Sequence, residues 1–334
     1  MLDQVDDGDV LILKAGDYAT GPLSLAAKSL TLIAAAPSAP GAREVRLDID
    51  GALVVRDLGV GQRVLLRGLD LVGDARAVDA EDCAGNLTLD DCRLSLESFG
   101  QSALRLARCN DVLLVRCHLY APPGPSSSIG NLDALESTLF VYDVLAFGNT
   151  SAAVGLRSST AMLSGSALVA SAGSGSSGPG GRFTLIASAG SQVELRSSTA
   201  LPGTTATFSV DATSNVTETS LPVLSLDVAS PAPQGLTAQL GVRAEPGAQV
   251  WLISALGGVP GTVVPPVDGT IHVYGVGFAI EPLGTASVAG RVTSQPLVPL
   301  IPGLTTVELF LQPLALPTST GRFLFGAPRT LTVY

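Results

Sequence analysis

A chain of 334 residues is long for one hydrophobic core and implies two domains, or one elongated repeat domain with an appendage. Its 37 glycines, 22 prolines, 46% hydrophobic and only 14% charged residues describe a β-rich protein with many turns. The formal charge of -10 leaves a phosphate-tracking, nucleic-acid-binding role without electrostatic support, and no apolar run reaches the ~18 residues that mark a membrane span.

The acidity is uneven. Residues 1–150 carry 21 Asp and Glu against 12 Lys and Arg, a balance of -9, whereas residues 151–334 carry 8 against 7, a balance of -1, so the chain changes character near its middle. The opening MLDQVDDGDV is acidic where the n-region of a signal peptide is basic.

Self-similarity at a short period organises the first part of the chain. VLLRGLDL begins at Val64, LTLDDCRL at Leu87, VLLVRCHL at Val112 and LDALESTL at Leu132, at intervals of 23, 25 and 20. Weaker copies, VGLRSSTA from Val154 and VELRSSTA from Val193, are separated by an interval of 39 that contains SAGSGSSGPGG, which reads as a flexible insertion. Within a copy, apolar side chains occupy the first and third positions, and a small or apolar residue the sixth and eighth. In the Val112 copy these are Val112, Leu114, Cys117 and Leu119. This is the period of strands with one buried face, bent between two short strands. AVDA from Ala77 and ALRL from Ala103 supply a third strand. Three short strands per turn predict an all-β fold whose residues 1–210 form a right-handed parallel β-helix.

GDVLILKAGDYATGPLSLAAKSLTLIA (8–34) resembles the first coil of pectate-lyase-like β-helix proteins. GALVVRDLGVGQRVLLRGLDLVGD (51–74) and ALRLARCNDVLLVRCHLYA (103–121) are similar to the body of uncharacterised secreted β-helix proteins from bacteria such as planctomycetes. The resemblance spans roughly residues 1 to 200 and implies the fold and an extracellular or cell-surface location. It implies no single function, because the architecture hosts lyases, hydrolases and adhesins. Such proteins begin with a short amphipathic helix over the first coil. Only MLDQVDD stands there in this chain, so upstream residues, among them an export signal, are expected.

Past about residue 210 the coil pattern stops. Residues 211–235 read as a proline-punctuated linker, and residues 236–334 as a C-terminal antiparallel β-sandwich with strands LTAQLGVR, QVWLISAL, GTIHVYGVGFAI, ASVAGRV, TVELFLQPLAL and TLTVY. PLVPLIPGLTTVELFLQPLAL resembles the C-terminal region of the same bacterial proteins, with no activity attached.

The stretch ALRLARCNDVLLVRCHLYA concentrates the candidate chemistry. The step from Cys83 to Cys109 is 26 and that from Cys92 to Cys117 is 25, so each pair is one coil apart and predicts a structural ladder of buried thiols. Disulfides between rungs stay open. Spacings of 9, 17 and 8 do not suit a zinc site, and no metal is expected. Cys117 and His118 are sequence neighbours on opposite faces of a strand and cannot form a nucleophile–base dyad; Asp90 and Asp91 are separated in the same way. Two outward columns are expected, Asp70–Arg93–His118–Thr138 and Gly68–Asp91–Arg116–Glu136, with charges that pair across coils. Asp91, Arg93, Arg116, His118 and Glu136 are therefore the catalytic candidates should the flank act on acidic polysaccharide, the one case in which Ca²⁺ would serve as cofactor. Tyr120 and Phe140, placed at equivalent offsets with Tyr142 and Phe147 near, are the ligand-binding candidates. The preferred expectation is a non-catalytic secreted or surface scaffold that meets a polysaccharide or a surface protein. The alternative is a polysaccharide lyase or glycoside hydrolase working on the outer face of the β-helix.

Overall fold

Twenty-five parallel strands of about three to five residues wind through residues 1–220 in the computed structural model, whose described residues are 5–35, 45–97, 101–120, 130–148, 152–170, 183–201, 208–256, 258–273, 276–298 and 306–334. The run SAGSGSSGPGG and residues 299–305 of the C-terminal resemblance lie outside them. Every helix or strand among the described residues is a strand. The chain divides into two compact units, Met1–Ser220 and Leu221–Tyr334.

The first unit is a parallel β-solenoid. Sheet A stacks nine strands from Asp9–Leu13 to Asn215–Thr219, sheet B eight from Gly16–Thr20 to Thr199–Leu201, and sheet C eight from Leu23–Ala26 to Phe208–Val210. One coil runs through sheets A, B and C in turn, and alternation sends every second residue inward. Leu87 and Leu89, Leu94 and Leu96, Leu104 and Leu106 are one coil's contribution to a single core that continues through every coil.

Two of the three corners are made by one residue in the left-handed region. Gly68, Asp91, Arg116, Asp143, Gly165 and Ser197 form the column between sheets A and B; Ala27, Asp57, Asp82, Arg108, Glu136, Ser158 and Ala189 form the column between C and A. Their φ values run from 46° to 66°. For an L-residue this conformation costs about 1–2 kcal/mol. It turns the strand within one residue, and Asp tolerates it better than most.

From Cys83 and Cys92 onward, a mostly small and buried or half-buried residue stands one or two places after each such corner. At the C-to-A corner the ladder is Cys83, Cys109, Ser137, Ser159, Ser191, Ser214; at the A-to-B corner it is Cys92, Cys117, Val144, Ser166, Ser198. Each serine Oγ accepts the N–H of the ladder residue one coil earlier, as from Cys109 to Ser137 at 3.1 Å and from Ser166 to Ser198 at 3.2 Å. It also donates to the carbonyl two residues back, Ser137 to Leu135 at 2.8 Å. The thiols make the same backward contact, Cys92 to Asp90 at 3.5 Å and Cys117 to Val115 at 3.4 Å. The expected cysteine ladders therefore continue into serine-rich ladders in later coils, and all four thiols are free. Burial, and then the adjoining Cys92, push the Cys117 thiol well above its ordinary value.

The repeat has a register that differs from the sequence alignment. Val64, Leu87, Val112, Leu139, Ala161 and Val193 are successive members of one column of sheet A, so the coil after Val112 restarts at Leu139 and not at Leu132. LDAL at 132–135 and VGLR at 154–157 are strands of sheet C. Both corners carry the same local signature, an αL residue followed by a small one, as in Glu136-Ser137 and Ser197-Ser198. Matching that signature pairs strands a third of a coil apart.

In the second unit, sheet D (Ser225–Val228, Leu240–Arg243, Arg291–Ser294) and sheet E (Ala279–Thr285, Gln249–Ala255, Val307–Leu316, Leu324–Phe325, Arg329–Val333) are antiparallel and share a core of Leu226, Val242 and Val292 with Val250, Leu252 and Leu331. The other face of sheet E meets the hairpin Gly258–Val263/Thr270–Val273. Residues 211–235 hold two strands: Asn215–Thr219 stacks on sheet A and Ser225–Val228 joins sheet D. GTIHVYGVGFAI divides into two strands, Thr270–Val273 and Ala279–Thr285. Gln312, fully buried, ties three segments together: its Nε2 donates to the Thr270 and Gly326 carbonyls at 2.7 and 2.9 Å, and its Oε1 accepts the His272 N–H at 2.8 Å.

Ser137→Ala orphans the buried Cys109 N–H and is expected to lower stability by about 1–3 kcal/mol. Cys109→Ser, which installs the residue that later coils already use, costs less. Urea unfolding followed by far-UV circular dichroism ranks the two. Burial lowers the His272 imidazole to about 3, below the ordinary value of about 6.5. The stability this provides is present above pH ~6.5 and is lost as pH falls towards the folded value. The difference in melting temperature between pH 7 and pH 4.5 should accordingly shrink in His272→Gln.

Candidate functional site

On sheet B the inward residues Leu94 and Leu119 leave Arg93, Ser95, His118 and Tyr120 pointing out. Asp70, Arg93 and His118 are direct register partners, and Ser95 pairs with Tyr120. The column continues to Arg46 and Asp17 on one side and to Leu145 on the other. Thr138, expected next to His118, starts a strand of sheet A instead, as the corrected register requires. Charges alternate along Asp17, Arg46, Asp70 and Arg93, which stabilises stacked parallel strands where like charges would oppose it.

Arg46 is engaged by Asp48 at 2.7 Å and Glu97 at 3.6 Å, and the Asp48 hydrogen bond raises the guanidinium pKa. Arg93 and His118 differ: both are exposed, and among the described residues neither side chain makes a hydrogen bond or an ion pair. Two positions along the same face, Tyr120 is 41% exposed. It meets Phe147 of the next coil edge-on, with ring centroids 6.4 Å apart and planes at 75°. Tyr120 ends its sheet B strand and Phe147 is next to the end of the following one, at the third corner, where the connection to sheet C varies in length from coil to coil.

The other candidates separate. Asp91 and Arg116 occupy consecutive places in the A-to-B corner column and pair at 3.3 Å. Glu136 belongs to the C-to-A column, one rung after Arg108. It therefore lies at the other end of sheet A, a five-residue strand or about 16 Å away. Phe140 and Tyr142 point outward from sheet A, in register with Leu113 and Val115, so Tyr120 and Phe140 are not equivalent, and Tyr142 is buried. Asp90 also points outward from sheet A, on the same side of the wall as Asp91. Over its middle coils the outer face of sheet A is shielded from solvent: Ile33, Leu65, Val115 and Tyr142 are buried on it, as are Arg67 and Asp90, which pair at 3.5 Å.

Two charged groupings escape the sequence pattern. Arg108 spans Asp82 at 2.5 Å and Glu81 at 2.7 Å across one corner. On sheet C, Asp79, Arg105 and Asp133 form a column in which Asp79 takes Arg105 at 2.8 Å and Arg76 at 3.3 Å. Desolvation raises the Asp133 carboxyl despite Arg157, Arg105 and Arg76 nearby. Aligning AVDA and ALRL with NLDA (131–134) would have found this column. Chemically, Asp48, Asp79, Glu81, Asp82 and Asp91 are each met by an arginine, whereas the Arg93 and His118 side chains are available to a ligand. Among the described residues no group of three His, Cys, Asp or Glu is placed to hold a metal ion.

No protein-family model, curated protein or solved structure matches the chain. What is established is the class that the fold defines, a parallel β-solenoid followed by antiparallel sheets.

Because the folded pKa of Asp133 is raised above the ordinary carboxylate value of about 3.9, its ionised form opposes folding once pH rises through the folded value. Asp133→Asn should raise the melting temperature at pH 7, and the gain should vanish below about pH 4. Melts of parent and variant at pH 7 and pH 3.5 check this.

Proposed function

We propose that this chain is a non-catalytic, secreted or cell-surface scaffold that offers the sheet B flank of its solenoid to a glycan. One observation carries the proposal: Arg93 and His118 stand side by side, exposed and unengaged among the described residues, beside the Tyr120–Phe147 edge. Elsewhere on the solenoid surface Arg46, Arg105, Arg108 and Arg116 are held by carboxylates. Ring faces with unspent donors beside them suit sugar, whose C–H groups lie on aromatic surface while hydroxyls accept from the rim. The charge of -10 favours a neutral or weakly charged glycan over a polyanion.

The enzymatic alternative, a polysaccharide lyase or glycoside hydrolase using Asp91, Arg93, Arg116, His118 and Glu136, has less support. Its chemistry wants a free carboxylate and a base around one sugar. Asp91 is engaged by Arg116 and Glu136 lies at another corner. Ca²⁺ belongs to that alternative alone.

A glycan array followed by affinity electrophoresis tests the proposal. Tyr120→Ala and Arg93→Ala should each weaken binding about tenfold, or ~1.4 kcal/mol, with no new reducing or unsaturated ends produced. Binding that ignores both variants removes the flank site, and product formation lost in folded His118→Ala reverses the preference for a binding protein.

A further inference from the structure

We propose that the C-terminal unit carries a sugar-binding subsite of its own, built on Trp251 and Phe323, that takes a neutral pyranose ring. It lies outside the solenoid flank and does not depend on the reading of that flank.

Trp251 sits in the strand Gln249–Ala255, between Pro282 on one neighbouring strand and Leu314 on the other. Alternation sends Val250 and Leu252 into the core shared by sheets D and E, and turns Trp251, Ile253 and Ala255 to the opposite face. Ile253, Ala255, Val273 and Phe325 close part of that face, but Trp251 stays half-buried. Phe323 is 39% exposed. The two ring centroids are 5.5 Å apart and the planes are inclined at 59°, so the rings form an angled notch, not a closed stack.

Three features select the occupant. The indole N–H, a donor with no acceptor capacity, makes no hydrogen bond among the described residues. The donor edge of a half-buried indole suits a hydroxyl, which supplies an acceptor beside an apolar ring face. The flanking residues are polar and already engaged: Gln249, two places along the strand from Trp251, donates to Thr285 at 2.8 Å, and Arg322, next to Phe323, is fixed by Asp268 at 3.1 Å and by the Pro266 carbonyl at 3.3 Å. Charge favours a neutral ligand, since residues 221–334 hold five acidic residues and four arginines, a balance of -1, and Arg322 is already engaged.

A protein strand is a poorer occupant. The adjoining edge strand, Ala279–Thr285, carries Pro282, and its pairing with Gln249–Ala255 shifts register between Val250 and Trp251. Proline and a bulge both obstruct strand addition.

Trp251 is the sole tryptophan of the chain, so indole emission of the full-length protein reports on this position alone. Titration with neutral hexasaccharides of gluco-, xylo- and manno- type, read by tryptophan fluorescence, should give a saturable change in at least one series. Tyr120→Ala should leave that change intact, whereas Phe323→Ala should weaken binding at least tenfold. Phe323→Leu, which keeps apolar bulk without the ring, should weaken it too and serves if the alanine variant does not fold. Trp251→Ala should abolish retention of the same sugar in affinity electrophoresis. No saturable change in any series, or one indifferent to both Phe323 variants, overturns the subsite. A change lost in Tyr120→Ala and kept in the Phe323 variants assigns binding to the flank and also overturns it.

Discussion

A parallel coil must turn a strand without leaving a buried amide unpaired, and here two corners out of three use a single αL residue, followed from Cys83 and Cys92 onward mostly by cysteine or serine. The αL residue makes the bend, and the small residue's amide is met by the side chain of the next coil wherever that side chain is serine. An unpaired buried amide would cost about as much as each bend itself, roughly 1–3 kcal/mol. Because the partner comes from the adjacent coil, the corner chemistry fixes the stacking as well as the turn. Strand pairing, the continuous interior and the outward columns all inherit their register from it.

Once the register is fixed, side-chain chemistry is organised across coils and hardly at all along the chain. Cys117 and His118 are covalent neighbours on opposite sides of a wall, whereas Arg93 and His118, a full coil apart in sequence, are side by side. The same geometry distributes the arginines. Arg105 meets Asp79, Arg108 meets Asp82, and Arg116 meets Asp91, each one coil back. These pairs tie neighbouring coils together, and the Arg93 and His118 side chains stand apart from them.

The sequence shows the parts of this that depend on a short local period. The thiol ladders follow from equal spacing, and the inward and outward sets from alternation. The column from Asp70 through Arg93 to His118 is legible for both reasons. Sequence alignment misplaces Glu136, Phe140 and Tyr142 because both αL corners share one signature, and because the coil after Val112 is longer than its predecessors by residues that carry no period. The burial of sheet A's outer face over the middle coils is not legible either. Alternation says that Leu65 and Tyr142 point outward, but says nothing about burial on that side. In the second unit, the turn within GTIHVYGVGFAI is hidden by its unbroken apolar composition. Trp251 is legible in QVWLISAL, on the face opposite Val250 and Leu252, although nothing in the strand marks that face as partly open.

Every column on the solenoid depends on the one-to-one register between coils. It is tested most directly by a pulsed electron–electron spin distance between nitroxides on Arg46→Cys and Thr199→Cys, whose positions are far apart in sequence and six rungs apart in one sheet B column. The native thiols are buried, so labelling falls on the introduced sites. Stacked rungs predict one narrow distribution at about 29 Å between the backbones, extended by the labels. A broad distribution, or a narrow one centred well away from that value, would contradict the stacking and the columns derived from it.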